Sequence, residues 1–172
     1  MRHTAVMLLA GFLSFASMGC EREDLHYDNP AEWDGDIDED PYVPEGNDSL
    51  HQTAELLTGE WKGSMVTDYV DSHTNQPVTK SYDDVVMVFQ PFAERAVNGK
   101  GKETISEDGK VVWWMPFTWY VDAKDAIVIK DVEGTKRTAT QYELTESQFN
   151  ATFVSSDLLE TSVYSLKRTN VP

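Results

Sequence analysis

The sequence predicts an all-β protein: an eight-stranded antiparallel up-and-down barrel with a short N-terminal helix, behind an acidic tether. Between residues 60 and 168, short segments rich in β-branched and aromatic residues alternate with turn residues at regular spacing. Every connection is short enough for antiparallel neighbours, and the long crossovers that a parallel sheet requires are not visible. Closure into a barrel removes exposed strand edges, and eight strands leave room for packed side chains or for one small ligand.

The first 19 residues predict a signal peptide. Arg2 supplies a positive charge before an uncharged, mostly apolar run at residues 5–19. This run is shorter than a membrane-spanning helix and has the length of a secretory h-region. It ends at Ser17-Met18-Gly19-Cys20, where small residues before the single cysteine resemble a bacterial lipobox. The resemblance implies that Cys20 is acylated and anchors the mature chain to a membrane; an ordinary secretory signal with an incidental cysteine is the alternative.

Residues 20–48 predict the lipidated cysteine followed by a flexible acidic tether. Residues 21–48 contain 12 acidic side chains against one base, Arg22, and three prolines without an apolar period. The acids directly after Cys20 resemble the export signal of Bacteroidetes surface lipoproteins, which implies an outer-membrane lipoprotein exposed at the cell surface, with the periplasmic leaflet as the alternative. The formal net charge of −16 argues against nucleic acid and anionic lipid as partners.

One motif in the tether has the spacing of a calcium loop. Five carboxylates fall at positions 1, 3, 5, 7 and 12 of an EF-hand loop, namely Asp34, Asp36, Asp38, Asp40 and Glu45. Position 6 is Glu39 instead of glycine, and two prolines interrupt the loop. We therefore expect a solvated linker without a resident metal ion, and weak calcium binding is the alternative.

Residues 49–172 form the predicted barrel domain. Asn47 or Ser49 can cap a helix over residues 50–57. The turn residues place strands at residues 60–69, 78–89, 95–106, 111–121, 126–131, 136–144, 148–155 and 160–168. Asp108-Gly109 is a strong two-residue hairpin signal between the third and fourth of these strands. Within the third strand, Gly99-Lys100-Gly101 predicts a bulge or a bend.

The start of the first strand resembles a known family. Leu57-Thr58-Gly59-Glu60-Trp61 is similar to the Gly-x-Trp start of the first strand in lipocalins and other calycins. In that family the tryptophan crosses the closed end of the barrel and an arginine of the last strand packs over it, roles that the resemblance gives to Trp61 and Arg168. Phe117-x-Trp119-x-Val121, followed by Ile127-x-Ile129, also resembles the lipocalin-like lipoproteins of Bacteroidetes. The resemblance covers roughly residues 55–170 and implies a lipocalin-like barrel.

Aromatic side chains are concentrated on the predicted strand at residues 111–121. Period-2 alternation places Trp113, Met115, Phe117 and Trp119 on one face and Trp114 on the other, unless Pro116 introduces a bulge that shifts the register. The inward side chains either fill the barrel as core or line a cavity for a flat or irregular apolar ligand. The candidate cavity residues are Met65, Tyr69, Met87, Trp113, Met115, Phe117 and Trp119.

The sequence shows no catalytic constellation. The histidines after the signal peptide, His26, His51 and His73, have no spacing typical of a zinc site or a catalytic triad. Lipidation of Cys20 leaves no cysteine nucleophile. We therefore expect a protein that is not an enzyme and that uses no cofactor.

Two functional interpretations follow. The first is a membrane-anchored surface lipoprotein whose lipocalin-like barrel binds a small apolar or amphipathic ligand. The second is a non-catalytic interaction module with a filled barrel, which contacts a glycan or a protein through loops and exposed aromatics such as Trp114 and Tyr120. In both interpretations we expect a monomer.

Overall fold

The computed structural model describes residues 48–157 and 159–169. The predicted signal peptide, the lipidation site Cys20 and the acidic tether with its calcium motif lie outside these residues. The described part of the chain contains one helix and eight strands. They are α1 (Asp48–Leu57), β1 (Gly59–Val70), β2 (Pro77–Pro91), β3 (Asn98–Glu107), β4 (Lys110–Val121), β5 (Ile127–Asp131), β6 (Lys136–Leu144), β7 (Gln148–Ser155) and β8 (Glu160–Arg168). None of the described helices is long and apolar enough to cross a membrane.

The eight strands form a closed barrel in sequence order. Each strand pairs antiparallel with the next, and β1 pairs with β8 from Trp61↔Arg168 to Tyr69↔Glu160, which closes the sheet. This arrangement confirms the predicted antiparallel up-and-down barrel with its short N-terminal helix.

The strand boundaries agree with the predicted ones to within three residues. The largest difference is at β3, which was expected to begin at residue 95 and begins at Asn98. Arg95 has a positive φ of 62°, and the amide of Ala96 donates to the carbonyl of Ala93 at 3.0 Å. A non-glycine residue in the left-handed region cannot continue a strand, so the extended chain starts after this turn.

The β3–β4 hairpin has the turn that Asp108-Gly109 predicts. Both residues have positive φ, 50° and 73°, as a type I′ turn requires. Aspartates organise other turns: Asp131 Oδ1 accepts hydrogen bonds from the amides of Glu133 and Thr135 at 2.9 and 2.8 Å. Such Asx contacts satisfy backbone donors that the turn removes from the sheet.

The helix α1 closes one end of the barrel. It buries Leu50, Ala54 and Leu57, which are at most 2 % exposed. Trp61 donates from Nε1 to the Leu57 carbonyl at 2.7 Å, and the Arg168 Cζ lies 4.2 Å from the centroid of the Trp61 ring. Arg168 therefore packs over the Trp61 ring at the end of the barrel that α1 covers.

Arg168 also holds the end of the helix. Its guanidinium donates to the carbonyls of Thr58 at 2.5 Å, of Leu56, and of Glu146 at 2.8 Å. Carbonyls at the C-terminus of a helix have no partner within the helix, so a guanidinium is a suitable donor for them. Arg168 thus joins α1, the β6–β7 connection and the last strand at the closed end.

Aromatic rings fill the closed half of the barrel, and two glycines make room for them. Gly99 and Gly101 pair with Trp119 and Phe117 on β4, and the register continues without interruption from Asn98 to Ile105. A Cβ atom on Gly101 would lie 2.5 Å from Phe117 Cε2, and one on Gly99 would lie 2.7 Å from the Trp119 ring. The unbroken register shows that the expected bulge at these glycines is wrong. The missing side chains instead allow a close approach of the β2 backbone as well as of the rings, since the added Cβ atoms would lie 2.0 Å from the Gln90 carbonyl oxygen and 2.2 Å from that of Val88.

Candidate functional site

The open half of the barrel contains a cavity, opposite α1. It consists of two adjoining lobes of about 360 and 470 Å³. Both lobes are lined by Tyr69, Trp113, Arg137 and Glu160, which come from β1, β4, β6 and β8. The lobes therefore share one central region, and strands from all around the barrel supply its walls. Their size lies within the range of small-molecule sites.

The seven candidate cavity residues divide into two groups along the barrel axis. Met65, Tyr69, Trp113 and Met115 line the lobes. Met87, Phe117 and Trp119 are at most 1 % exposed and belong to the packed core, and none of them lines either lobe. Trp113 is 40 % exposed although it points inward, because it lies at the mouth. The barrel is thus filled in its closed half and open in the other.

A charged pair lies at the floor of the cavity. Arg137 Nη2 donates to Glu103 Oε2 at 2.8 Å, and the two residues are 7 % and 0 % exposed. Tyr164, from β8, connects both of them: its hydroxyl donates to Glu103 Oε1 at 2.7 Å and accepts from Arg137 Nη1 at 2.9 Å. These three side chains form a closed ring of charge-assisted hydrogen bonds, which we call the floor triad.

Burial and charge act on the ionisation of the floor triad. Burial alone would lower the pKa of Arg137, but Tyr164 and the Glu103 carboxylate outweigh it and raise that pKa. Burial raises the pKa of Tyr164 well above its ordinary value, and Glu103 adds to this against the opposing effect of Arg137. Arg137 therefore stays charged and Tyr164 stays protonated, as the direction of the hydrogen bonds requires.

The walls above the floor triad carry polar and acidic groups among the apolar ones. Ser162 donates to Glu160 Oε1 at 2.9 Å, and its hydroxyl lies 3.0 Å from Thr67 Oγ1. The lining of the two lobes includes six carboxylates and two cations. The carboxylates are Glu103, Glu107, Asp131, Glu133, Asp157 and Glu160, and the cations are Lys80 and Arg137. The cavity is therefore amphipathic, with aromatic and methionine walls and an excess of negative charge.

The sequence interpretation missed Glu103 and Arg137. Both occupy inward positions of their strands, Glu103 in phase with Gly101 and Ile105, and Arg137 in phase with Ala139. An acid and a base at inward positions of two different strands are a signal of a buried pair. That signal does not show which strands face each other across the barrel.

A wider cleft of about 740 Å³ lies outside the barrel, between α1 and the β2–β3 connection. Its walls include His51, whose Nδ1 lies 2.6 Å from the Arg95 carbonyl oxygen. Its lining residues include no member of the buried core, whereas the barrel cavity has a buried polar floor. We therefore place the candidate site inside the barrel. Within the described residues, no group of histidine, cysteine or acidic side chains has the geometry of a metal site.

The chain shows distant similarity to two designed β-barrels. No family model matches the chain, and no curated protein matches it. The chain is similar to a redesigned β-barrel, with 20 % identity over 69 % of this chain and 96 % of that chain and a TM-score of 0.43. It is also similar to a de novo designed fluorescence-activating β-barrel, with 18 % identity, coverage of 68 % and 97 %, and a TM-score of 0.44. The strand pairing described above, and not these similarities, defines the barrel.

Proposed function

We propose that this protein is a membrane-anchored, lipocalin-like surface lipoprotein that binds a small amphipathic molecule in the open half of its barrel. The observation that carries the proposal is the cavity above the floor triad. A few fixed polar groups among apolar walls are the usual composition of a small-molecule site. The anchor at Cys20 and the cell-surface location belong to the same proposal and rest on the lipobox-like sequence.

The free-energy cost of burying the charged side chains of the floor triad supports a binding role. Burying an ion pair is often no better for stability than packing apolar side chains of similar volume in its place. The closed half of this barrel is packed with apolar side chains, and Phe117, Phe149 and Phe153 are fully buried there. Charged groups at the bottom of a cavity are therefore better explained by recognition of a ligand than by stability.

The floor triad and the acidic walls define the kind of ligand. Arg137 has five N–H donors, and the described structure pairs two of its nitrogens, one with Glu103 and one with Tyr164. A hydroxyl or carbonyl oxygen of a ligand can accept from the remaining donors. A carboxylate is disfavoured, because Glu103 and Glu160 already supply more negative charge than Arg137 compensates. We therefore propose a neutral or cationic amphipathic ligand, and binding without catalysis.

Titration of the full-length protein with N-phenyl-1-naphthylamine, a neutral fluorescent probe, tests this proposal. We expect saturable binding, and we expect Trp113→Ala to weaken it about tenfold because the substitution removes an aromatic wall from both lobes. Trp114→Ala is the matched control, since it removes the same side chain from the adjacent position, on the outer face of the same strand. Equal effects of the two substitutions, or no saturable binding, would contradict the proposed site.

A further inference from the structure

The two lobes of the barrel cavity differ in their charge. Among the described residues, the smaller lobe is lined by four carboxylates and one cation, and we call it the acidic lobe. These residues are Asp131, Glu133, Asp157, Glu160 and Arg137. The larger lobe, which we call the apolar lobe, is lined by three carboxylates and two cations, and it reaches the buried side chains of Met65 and Ile105. The cavity therefore has an acidic side and a more apolar side.

Two turns hold carboxylates of the acidic lobe in fixed positions. Asp131 Oδ1 accepts from two amides of the β5–β6 turn. Asp157 Oδ1 accepts from the Ser155 hydroxyl at 2.5 Å and from the Leu159 amide at 3.0 Å, and these bonds lower the pKa of Asp157. In both aspartates, the hydrogen bonds within the described residues use Oδ1, so Oδ2 can accept from a ligand.

The acidic lobe contains more negative charge than the described side chains compensate. Ion pairs of the described residues join Lys62 to Asp84 and Arg137 to Glu103, and neither pair includes Asp131 or Asp157. Like charges that share a small volume repel one another. A cation in the acidic lobe relieves this repulsion, whereas an anion increases it.

Two aromatic rings lie between the lobes and favour an organic cation. Tyr69 and Trp113 line both lobes. The ring of Tyr69 already accepts an ammonium group of the protein itself, because Lys80 Nζ lies 5.7 Å from its centroid. Trp113 is 40 % exposed at the mouth, so a ligand can reach its ring. Ammonium ions bind over aromatic rings within about 6 Å of the centroid, and tryptophan is the best of these rings.

We infer that the ligand of the barrel cavity is an organic ammonium ion, with its charged head in the acidic lobe and its apolar body in the apolar lobe. This assignment depends on the proposed function and selects one of the ligand charges that the proposed function allows. The body packs against Met65, Ile105 and Tyr82, which line the apolar lobe, and its apolar surface leaves water there. The carboxylates and rings at the mouth hold the head.

Three probes that share one phenylbutyl body test this assignment on the full-length protein. They are 4-phenylbutylamine, 4-phenylbutanol and 4-phenylbutyrate, which are cationic, neutral and anionic at pH 7. Displacement of N-phenyl-1-naphthylamine measures their relative affinities. We expect the amine to bind about tenfold more tightly than the alcohol, and the alcohol to bind more tightly than the butyrate. We expect added sodium chloride to reduce the preference for the amine over the alcohol, because salt screens charges that are exposed to solvent.

The double substitution Asp131→Asn and Asp157→Asn removes two charges from the acidic lobe. Asparagine keeps the Oδ1 acceptor that each turn uses, so we expect both turns to be retained. We expect the preference for the amine over the alcohol to fall about fivefold. The affinity ratio of two probes with the same body separates the lost charge from any general change in the cavity.

The matched control is the double substitution Asp122→Asn and Asp125→Asn. It removes two aspartate charges from the β4–β5 connection, where Asp122 Oδ1 accepts from two turn amides and Asp125 Oδ1 accepts from the Thr53 hydroxyl. Neither aspartate lines a lobe of the cavity. We expect this control to change the preference for the amine less than about twofold.

Two kinds of failure are distinguishable in this experiment. Binding of the amine no tighter than that of the alcohol, or an equal fall of the preference in the two double variants, would overturn the organic ammonium ion and leave the cavity site in place. If neither N-phenyl-1-naphthylamine nor any of the three probes binds saturably, the proposed function is overturned as well.

Discussion

Replacing Trp61 with alanine will lower the free energy of unfolding by about 3–5 kcal/mol, as expected for truncation of a fully buried aromatic side chain. Trp61 is 0 % exposed and packs against Phe149, with ring centroids 5.7 Å apart. Its loss also removes the hydrogen bond to Leu57 and the ring beneath the Arg168 guanidinium. Urea denaturation followed by circular dichroism at 25 °C measures the change.

The control for this prediction is Trp114→Ala, which removes a half-buried tryptophan from the outer side of the barrel. We expect Trp114→Ala to cost less than half as much as Trp61→Ala, because less apolar surface returns to water. A Trp61→Ala loss below about 1 kcal/mol, in the range of an ordinary surface substitution, would contradict the role of Trp61 as the packed closed end of the barrel.

The second large effect is expected at the floor triad. Arg137→Met will lower the free energy of unfolding by about 3–5 kcal/mol, because it leaves the buried Glu103 carboxylate without its cation. The remaining hydrogen bond from the Tyr164 hydroxyl, at 2.7 Å, does not neutralise the charge. Equilibrium unfolding in urea at pH 7 measures this loss, with methionine chosen because it keeps most of the volume of the arginine stem.

The double variant Arg137→Met with Glu103→Gln separates the lost pair from lost packing. Since the double variant has no uncompensated buried charge, we expect it to recover at least half of the stability that Arg137→Met loses. If the losses of unfolding free energy caused by Arg137→Met and by Glu103→Gln add up in the double variant, Arg137 and Glu103 do not act as a pair. The floor triad would then be assigned wrongly.

Local patterns in the sequence were sufficient to predict the barrel. Period-2 alternation and turn residues such as Asp108-Gly109 are short-range signals, and antiparallel neighbours need no information about distant parts of the chain. The start of β3 was misplaced because a positive φ at Arg95 leaves no mark in the residue pattern. The role of Gly99 and Gly101 was missed because it depends on which rings lie beside them on β4.

The cavity could be predicted only in part. Alternation identifies the inward face of β4, but it does not give the height of each side chain along the barrel axis, which depends on strand tilt and register. Trp113 and Phe117 therefore had the same sequence signal, although one lies at the mouth and the other in the packed core. Glu103 and Arg137 are 34 residues apart on β3 and β6, which do not pair, so no local pattern joins them.

Native mass spectrometry of the protein purified from its own cells tests the central claim, a ligand in the open half of the barrel, most directly. We expect a reproducible additional mass, no larger than a molecule that fits lobes of about 360 and 470 Å³, which is lost on denaturation. We expect Trp113→Ala, expressed in the same cells, to carry less of that mass than Trp114→Ala. A bare protein mass under gentle ionisation would contradict ligand binding in the barrel.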